Sequence, residues 1–361
     1  MAVLGTRPEA IKMCPVIIEL KKRKNVDLYV CITGQHREML RSVLDIFGVR
    51  ADCDLDIMKE GQSLADITKA VLDGISEVLE REKPDVVLVH GDTTTAFAAS
   101  LACFYKKIPV GHVEAGLRTY DVYSPYPEEF NRRAIDITAS YLFAPTRLSA
   151  ENLLREGADE SSIFVTGNTA IDALRLTVRE EYSSPITEAA AGKRIILLTA
   201  HRRESHGEAL RGIFRAVRRI ADEFDDVMIV YPVHPNPAVR AAAEEILSGH
   251  ERIMLTEPLD VIAFHNLMAK SFFIMTDSGG IQEEAPSLGK PVLVLRDVTE
   301  RPEGVEAGTL RIVGTDEEKV YLACKNLLCN DAEYAEMSSA ENPYGDGKAS
   351  RRIADALLSE A

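Results

Sequence analysis

Gly5-Thr6-Arg7-Pro8-Glu9-Ala10-Ile11-Lys12 in the first half and Thr276-Asp277-Ser278-Gly279-Gly280-Ile281-Gln282-Glu283-Glu284 in the second decide how this chain of 361 residues reads. Each stretch follows an apolar run with strand character and leads into a helix-like pattern. A strand-to-helix turn presents unpaired backbone N–H groups and the positive end of a helix dipole, which suits an anion. Two such turns beside polar residues capable of chemistry predict a phosphorylated ligand held between two α/β domains.

Working outward, short β-rich runs alternate with longer amphipathic ones. Strands are expected at Leu28–Thr33, Val86–His90, Val110–Glu114, Tyr141–Ala144 and Ile163–Thr166. After a gap they resume at Ile195–Ala200, Val227–Pro232, Ile253–Thr256, Phe272–Thr276 and Val292–Leu295. Leu64–Glu80, Glu208–Phe224 and Pro237–Leu247 read as helices between them. Near-continuous apolar strands alternating with helices mean parallel sheets covered on both faces. Ala2–Leu4 is short for a first strand, so either that strand is stubby or the native start lies upstream. Polar Arg179–Lys193 suits a linker, and the loose run Ala340–Lys348 precedes a final helix, Ala349–Leu358.

The bulk composition narrows the function. Hydrophobic residues make up 46% and charged residues 27%, an ordinary globular balance, and the length favours two domains. A formal charge of −15 argues against nonspecific nucleic-acid binding, which needs basic surface. A small anionic ligand is still allowed, because only the local field counts there. The N-terminus has no leader pattern, and no apolar run reaches the ~18 residues of a membrane span. The six cysteines form no CxxC pair and read as free thiols in a reducing cytoplasm. Neither the GxGxxG spacing nor the Walker pattern is present, so dinucleotide redox chemistry and ATP hydrolysis find no support. The histidines show no metal-ligand spacing, and no catalytic metal is expected.

Polar clusters fall where strands end, which is where parallel sheets collect ligands. Asp92 follows the strand before HGDTTT; it is either an ordinary helix N-cap or an acid placed for chemistry. Glu114, between small residues, has Arg118 nearby to hold it ionised; alternatively the two belong to a loop salt bridge. Glu128 and Arg132 form an i,i+4 pair, a frequent surface device. His201, Arg202 and Arg203 are hard to place in a core, and their forks and imidazole fit phosphate. His234 is a weaker candidate. Ser278, Gly279 and Gly280 form the best phosphate cradle, with Glu284 better suited to ribose hydroxyls than to phosphate. Arg301 in the next loop offers a further cation.

In order along nearly the whole chain, GTRPEAIKM, GQHREML, VLVHGDTTT, VGHVEAGLRT, PEEFNR, TAHRRES, HPNP, TDSGGIQEEAP and RDVTERPE closely resemble the non-hydrolysing UDP-N-acetylglucosamine 2-epimerases. The resemblance implies two Rossmann-like domains with parallel sheets facing across a cleft, the GT-B arrangement. It places the first domain at 1–168, rejoined by the helix 349–361, and the UDP-binding domain at 169–348. It implies inversion at C2 between UDP-GlcNAc and UDP-ManNAc, through elimination of UDP to 2-acetamidoglucal, with no cofactor. The acids matching the essential ones are Asp92, Glu114 and Glu128; of these, Asp92 and Glu128 are assigned here to proton transfer and Glu114 to the charge on the ring. The residue matching His201 acts near the diphosphate in that family. Arg7, Lys12, Arg132, Ser278, Gly279, Gly280 and Arg301 match residues around the substrate, Glu284 the ribose ligand, and Phe264 the uracil pocket.

Gln35, His36, Arg202 and His234 match a pocket for a second UDP-GlcNAc as activator, although Glu38 and Gly61 depart from some relatives there. A homodimer is implied, with no membrane partner. A hydrolysing 2-epimerase, a glycosyltransferase on the same fold and a nucleotide-sugar sensor are the competing readings.

Overall fold

The structure, a computed structural model, describes residues 1–34, 37–59, 61–202 and 205–359. The described chain is mixed α/β and separates into two compact units, Met1–Leu176 with Tyr344–Ala361, and Thr177–Pro343. The first unit carries β1 (Ala2–Leu4), β2 (Val30–Ile32), β3 (Cys53–Asp54), β4 (Val87–His90), β5 (Val110–Val113), β6 (Tyr141–Ala144) and β7 (Ile163–Val165). They form one parallel sheet in the order β3-β2-β1-β4-β5-β6-β7. The second carries β8 (Arg194–Thr199), β9 (Val227–Pro232), β10 (Ile253–Thr256), β11 (Phe273–Thr276), β12 (Val292–Val294) and β13 (Leu310–Ile312). Its parallel order is β10-β9-β8-β11-β12-β13.

Strand order reverses between β1 and β4 in the first sheet and between β8 and β11 in the second. Helices leave such a switch point toward opposite faces, opening a crevice at the carboxyl ends of the two strands. The GTRPE stretch follows β1, HGDTTT follows β4, TAHR follows β8 and TDSGG follows β11. All four motifs therefore stand at switch points. The central strands β1, β2, β4, β5, β8, β9, β11 and β12 are buried almost throughout, which explains their largely apolar runs, whereas edge strands such as β7 and β13 keep exposed residues.

β1 is stubby, as its three residues suggested, yet it is central and wholly buried. Two strands were not expected from the sequence. β3 has two residues and β13 three, and both lie at sheet edges, where a strand has one partner and little apolar patterning. Within Arg179–Lys193 a short helix, Pro185–Ala189, starts at the capping box of Ser184. The helix Thr169–Thr177 lies mostly in the first unit, beyond the 168/169 division. Asp172 on it accepts the N–H of Ala349 (3.2 Å) and Ser350 (2.8 Å), so it caps the final helix, Ala349–Ser359. That final helix buries Ile353, Ala354, Ala356 and Leu357 in the same cluster as Leu4, Met13 and Ile17. Among the described residues, no helix is long and apolar enough to cross a membrane.

The turns after β1 and β4 touch through a glycine. A Cβ on Gly5 would stand 2.3 Å from Oγ1 of Thr95, a side chain with no exposed surface. Gly5→Ala is therefore expected to cost roughly 1–3 kcal/mol by overpacking, read as a fall in unfolding free energy in a denaturant titration. An unchanged midpoint would show that the turn can move aside.

Candidate functional site

The first unit gathers three acids at the carboxyl ends of β4 and β5 and at a helix start. Asp92 follows β4 in the turn before the helix Thr94–Lys106, and it is Thr93, not Asp92, whose side chain caps that helix by accepting the N–H of Ala96 at 3.0 Å. The capping role that could have explained Asp92 is thus already taken. The backbone carbonyl of Asp92 accepts Nδ2 of Asn131 at 2.9 Å, and its carboxylate lies 3.7 Å from Nε of Arg132. Burial pushes its carboxyl up to about 6; Arg132 and Lys12 pull it down, while Glu114 and Glu128 add to the rise.

Glu114 takes up a left-handed backbone, φ 71°, which a non-glycine residue rarely adopts. Such strain persists where the surroundings impose it, often at sites of function. Here Lys12 from the helix Arg7–Lys21 pairs with its Oε2, Asn168 donates to the same oxygen at 3.4 Å, and Nε2 of His90 stands 3.6 Å away. Arg118 does not serve Glu114 as the sequence suggested. Its guanidinium goes to Asp136 (2.8 Å) and Glu156 (2.7 Å), because the turn after β5 directs it toward the helices that carry those acids. Asp136 also binds Nδ1 of the buried His112, whose Nε2 bonds the carbonyl of Gly91 at 2.7 Å. His90 is buried beside Lys12 and Glu114, and burial pushes its imidazole down to about 3, so it is neutral.

Glu128 opens the helix Glu128–Thr138 and is half-buried, with its charge felt at Asp92. The expected surface pair of Glu128 with Arg132 does not form. Arg132 is 7% exposed and its Nε lies 3.2 Å from Glu129 instead. Glu129 is wholly buried and accepts the N–H groups of Thr119 (3.0 Å) and Tyr120 (3.1 Å). Adjacent glutamates thus divide: Glu129 holds the 119–120 turn, while the charge of Glu128 acts on Asp92. Arg7 is the first residue of the helix Arg7–Lys21, which the capping box of Thr6 and Glu9 starts.

The second unit builds its cluster on Asp277, at the end of β11. This buried carboxylate accepts the N–H of His201 (2.6 Å) and of Arg202 (2.7 Å), tying the turn after β8 to the turn after β11. The His201 ring stacks on that of the exposed His234, with centroids 4.9 Å apart and planes within 5°. Ser278 is the N-cap residue of the helix Gly279–Glu284, yet its side chain makes no cap bond.

Arg301 lies directly over Gly279, where a Cβ would come within 2.8 Å of its Cζ. Glu283 anchors it through Nε (2.9 Å) and Nη2 (2.8 Å), and Glu300 takes Nη1 at 3.1 Å. Burial raises the Glu300 carboxyl, but Arg296 and Arg301 outweigh it and hold the group down at about 2. A fixed guanidinium beside a glycine pair can grip an anion bidentately at little cost in ordering.

Glu284 is half-buried, with Nε2 of His265 at 3.8 Å, and Phe264 is half-buried on the helix Val261–Lys270. Of the proposed activator residues, Arg202 and His234 fall in this unit beside His201, whereas Gln35 and His36 lie outside the described residues. Among the described residues, no group of three or more His, Cys, Asp or Glu side chains is placed to hold a metal ion.

Sequence reasoning missed three residues. Glu9 is a buried bridge, Asp277 is the keystone under His201, and Glu129 is the turn holder. Only Asp277 carried a usable signal, as an acid preceding Ser-Gly-Gly at a strand end.

Comparison with known proteins bears on this geometry. A family model described as UDP-N-acetylglucosamine 2-epimerase matches residues 18–358. A UDP-N-acetylglucosamine 2-epimerase from Bacillus subtilis is 60% identical over 358 residues, covering 99% of this chain and 94% of its own. The crystal structure of the UDP-GlcNAc 2-epimerase from Neisseria meningitidis bound to UDP-GlcNAc superposes with a TM-score of 0.91 at 50% identity, covering 99% of each chain. That from Methanocaldococcus jannaschii, in complex with UDP-GlcNAc and UDP, gives 0.83 at 36% identity, over 100% of this chain and 99% of that one.

Proposed function

Because the chain belongs to the UDP-N-acetylglucosamine 2-epimerase family, we propose that it interconverts UDP-GlcNAc and UDP-ManNAc without net hydrolysis. The C1–O bond to UDP breaks with its electron pair leaving on the diphosphate, and the C2 proton passes to a base. The product pair is UDP and 2-acetamidoglucal. A proton then returns to the opposite face of C2 as UDP adds back to C1, so nothing is consumed. Such chemistry asks for a base near its working pH, an acid facing it, and charge stabilisation where C1 gains positive character.

Asp92 and Glu128 are assigned the proton transfers and Glu114 the positive ring. Arg301, Ser278, Gly279, Gly280 and His201 hold the diphosphate, with Arg7, Lys12 and Arg132 as further cations. Glu284 takes the ribose hydroxyls and Phe264 the uracil. The reading extends to a second UDP-GlcNAc as activator at Gln35, His36, Arg202 and His234, to a cytoplasmic homodimer of two Rossmann-like domains, and to catalysis without cofactor.

The observation that carries the reading is Asp92. It follows β4 without capping the next helix, its carboxylate stands 3.7 Å from Nε of Arg132, and its carboxyl is raised to about 6 with Glu114 and Glu128 adding to the rise. A carboxylate poised there can both take and return a proton near neutral pH. Proton NMR with UDP-GlcNAc in D2O tests it: UDP-ManNAc is expected, with deuterium at C2 of both epimers. Free ManNAc and UDP as the only products would point to hydrolysis, and an unchanged spectrum despite UDP binding would leave only a sensor.

A further inference from the structure

The turns after β1 and β4 are neighbours, since these strands pair across the switch point of the first sheet. One side chain joins them. Glu9 is 2% exposed, and both its oxygens are used inside the protein. Oε2 accepts the N–H of Gly5 (3.0 Å) and of Thr6 (2.6 Å), and Oε1 accepts the hydroxyl of Thr93 (2.8 Å). Thr93 is the residue after Asp92 and itself caps the next helix. On the other side, Glu9 shares its helix with Arg7 and with Lys12, the cation paired to Glu114. One carboxyl group therefore connects the backbone carrying Asp92 to the helix carrying the partner of Glu114.

We propose that Glu9 is a positioning residue for the reaction, a latch that sets the register of Asp92 against Lys12 and Glu114. The inference rests on the 2-epimerase reading of this site. Glu9 has no free oxygen to offer a substrate, so it acts only through Thr93 and the first turn of its helix. Burial outweighs its hydrogen bonds and pushes its carboxyl up to about 7, so a neutral isostere suits the same pocket. In Glu9→Gln the amide oxygen can accept the two N–H groups while the amide nitrogen donates to Thr93. Glu9→Ala removes all three bonds and frees the Asp92 turn.

The test is steady-state epimerisation by wild type, Glu9→Gln and Glu9→Ala at a temperature where each is shown to be folded. For Glu9→Ala, kcat should fall roughly ten- to a hundredfold with KM for UDP-GlcNAc nearly unchanged, as expected of a displaced base. Glu9→Gln should stay within about threefold of wild type. A merely structural role would lower the unfolding midpoint of Glu9→Ala and leave kcat intact, and that outcome overturns the proposal. If Glu9→Ala does not fold, Thr93→Val removes the link to Oε1 together with the helix cap on Ala96 while leaving both N–H bonds to Oε2, and full kcat in the folded variant overturns it equally. Wild-type turnover with an unimpaired folded variant sinks the latch alone, whereas a wild type that forms no UDP-ManNAc sinks the reading beneath it.

Discussion

Replacing Asp92 by Asn should lower turnover roughly a thousandfold, the middle of the range that a lost general base produces. The substitution keeps size and shape, and the backbone bond from Asn131 to the residue 92 carbonyl is untouched. The fold should therefore survive, and the unfolding midpoint checks that it does. Affinity for UDP should largely remain, because the main proposed diphosphate ligands, Arg301, Ser278–Gly280 and His201, belong to the second unit. Titration calorimetry with UDP and C2 deuterium wash-in together separate these terms. The wild type adds a sign: Asp92 must be ionised to accept the C2 proton, and its carboxyl is raised to about 6. The rate should hold above that pH and decline as pH falls through it. A folded Asp92→Asn variant that exchanges deuterium at the wild-type rate would remove Asp92 from the proton transfers.

Asp277→Ala should carry the largest structural penalty near the second cluster. The carboxylate accepts two short backbone bonds, from His201 and Arg202, in a buried setting. A hydrogen bond to a charged group contributes about 1.5–3 kcal/mol, so losing both should cost roughly 3–6 kcal/mol. The turn after β8 would then lose its tie to β11, and His201 its position beside Ser278–Gly280. UDP affinity is expected to drop at least about tenfold, the equivalent of ~1.4 kcal/mol. Asp277→Asn retains one carbonyl oxygen as acceptor and should fall between the two. Calorimetric UDP affinity equal to wild type in a folded Asp277→Ala protein would mean that His201 does not depend on this tie.

Much of the candidate site was legible as polar residues at strand ends, which is where the structure places them. Asp92, Glu114, His201 and Ser278–Gly280 could be picked out by an apolar run, a polar turn and a helix start, all within a dozen residues. What failed was pairing. Arg118 stands four residues from Glu114 and was the natural cation for it, yet Lys12, from 102 residues away, fills that role. Glu128 and Arg132 had the spacing of a surface pair, but Arg132 is buried against Glu129. Helix spacing tells which side chains can meet on one face; it does not tell which face the core will cover. Edge strands such as Cys53–Asp54 escaped for a similar reason, since two residues with one neighbour leave no period to read.

By itself, then, the amino-acid order determined the local units: parallel strands without polar interruptions, turns rich in free N–H groups, and helices that start at them. Those are properties of a few adjacent residues and their solvation. The tertiary structure alone decided that the β1 and β4 turns, and the β8 and β11 turns, stand side by side at switch points. It also decided that Lys12 meets Glu114, that Glu9 bridges to Thr93, and that Asp277 lies under His201. Each of those depends on the strand order that crossovers produce, and on the burial that follows from it. Burial is what raises Asp92 and Glu9 toward neutrality, because a carboxylate withdrawn from water holds its proton to higher pH.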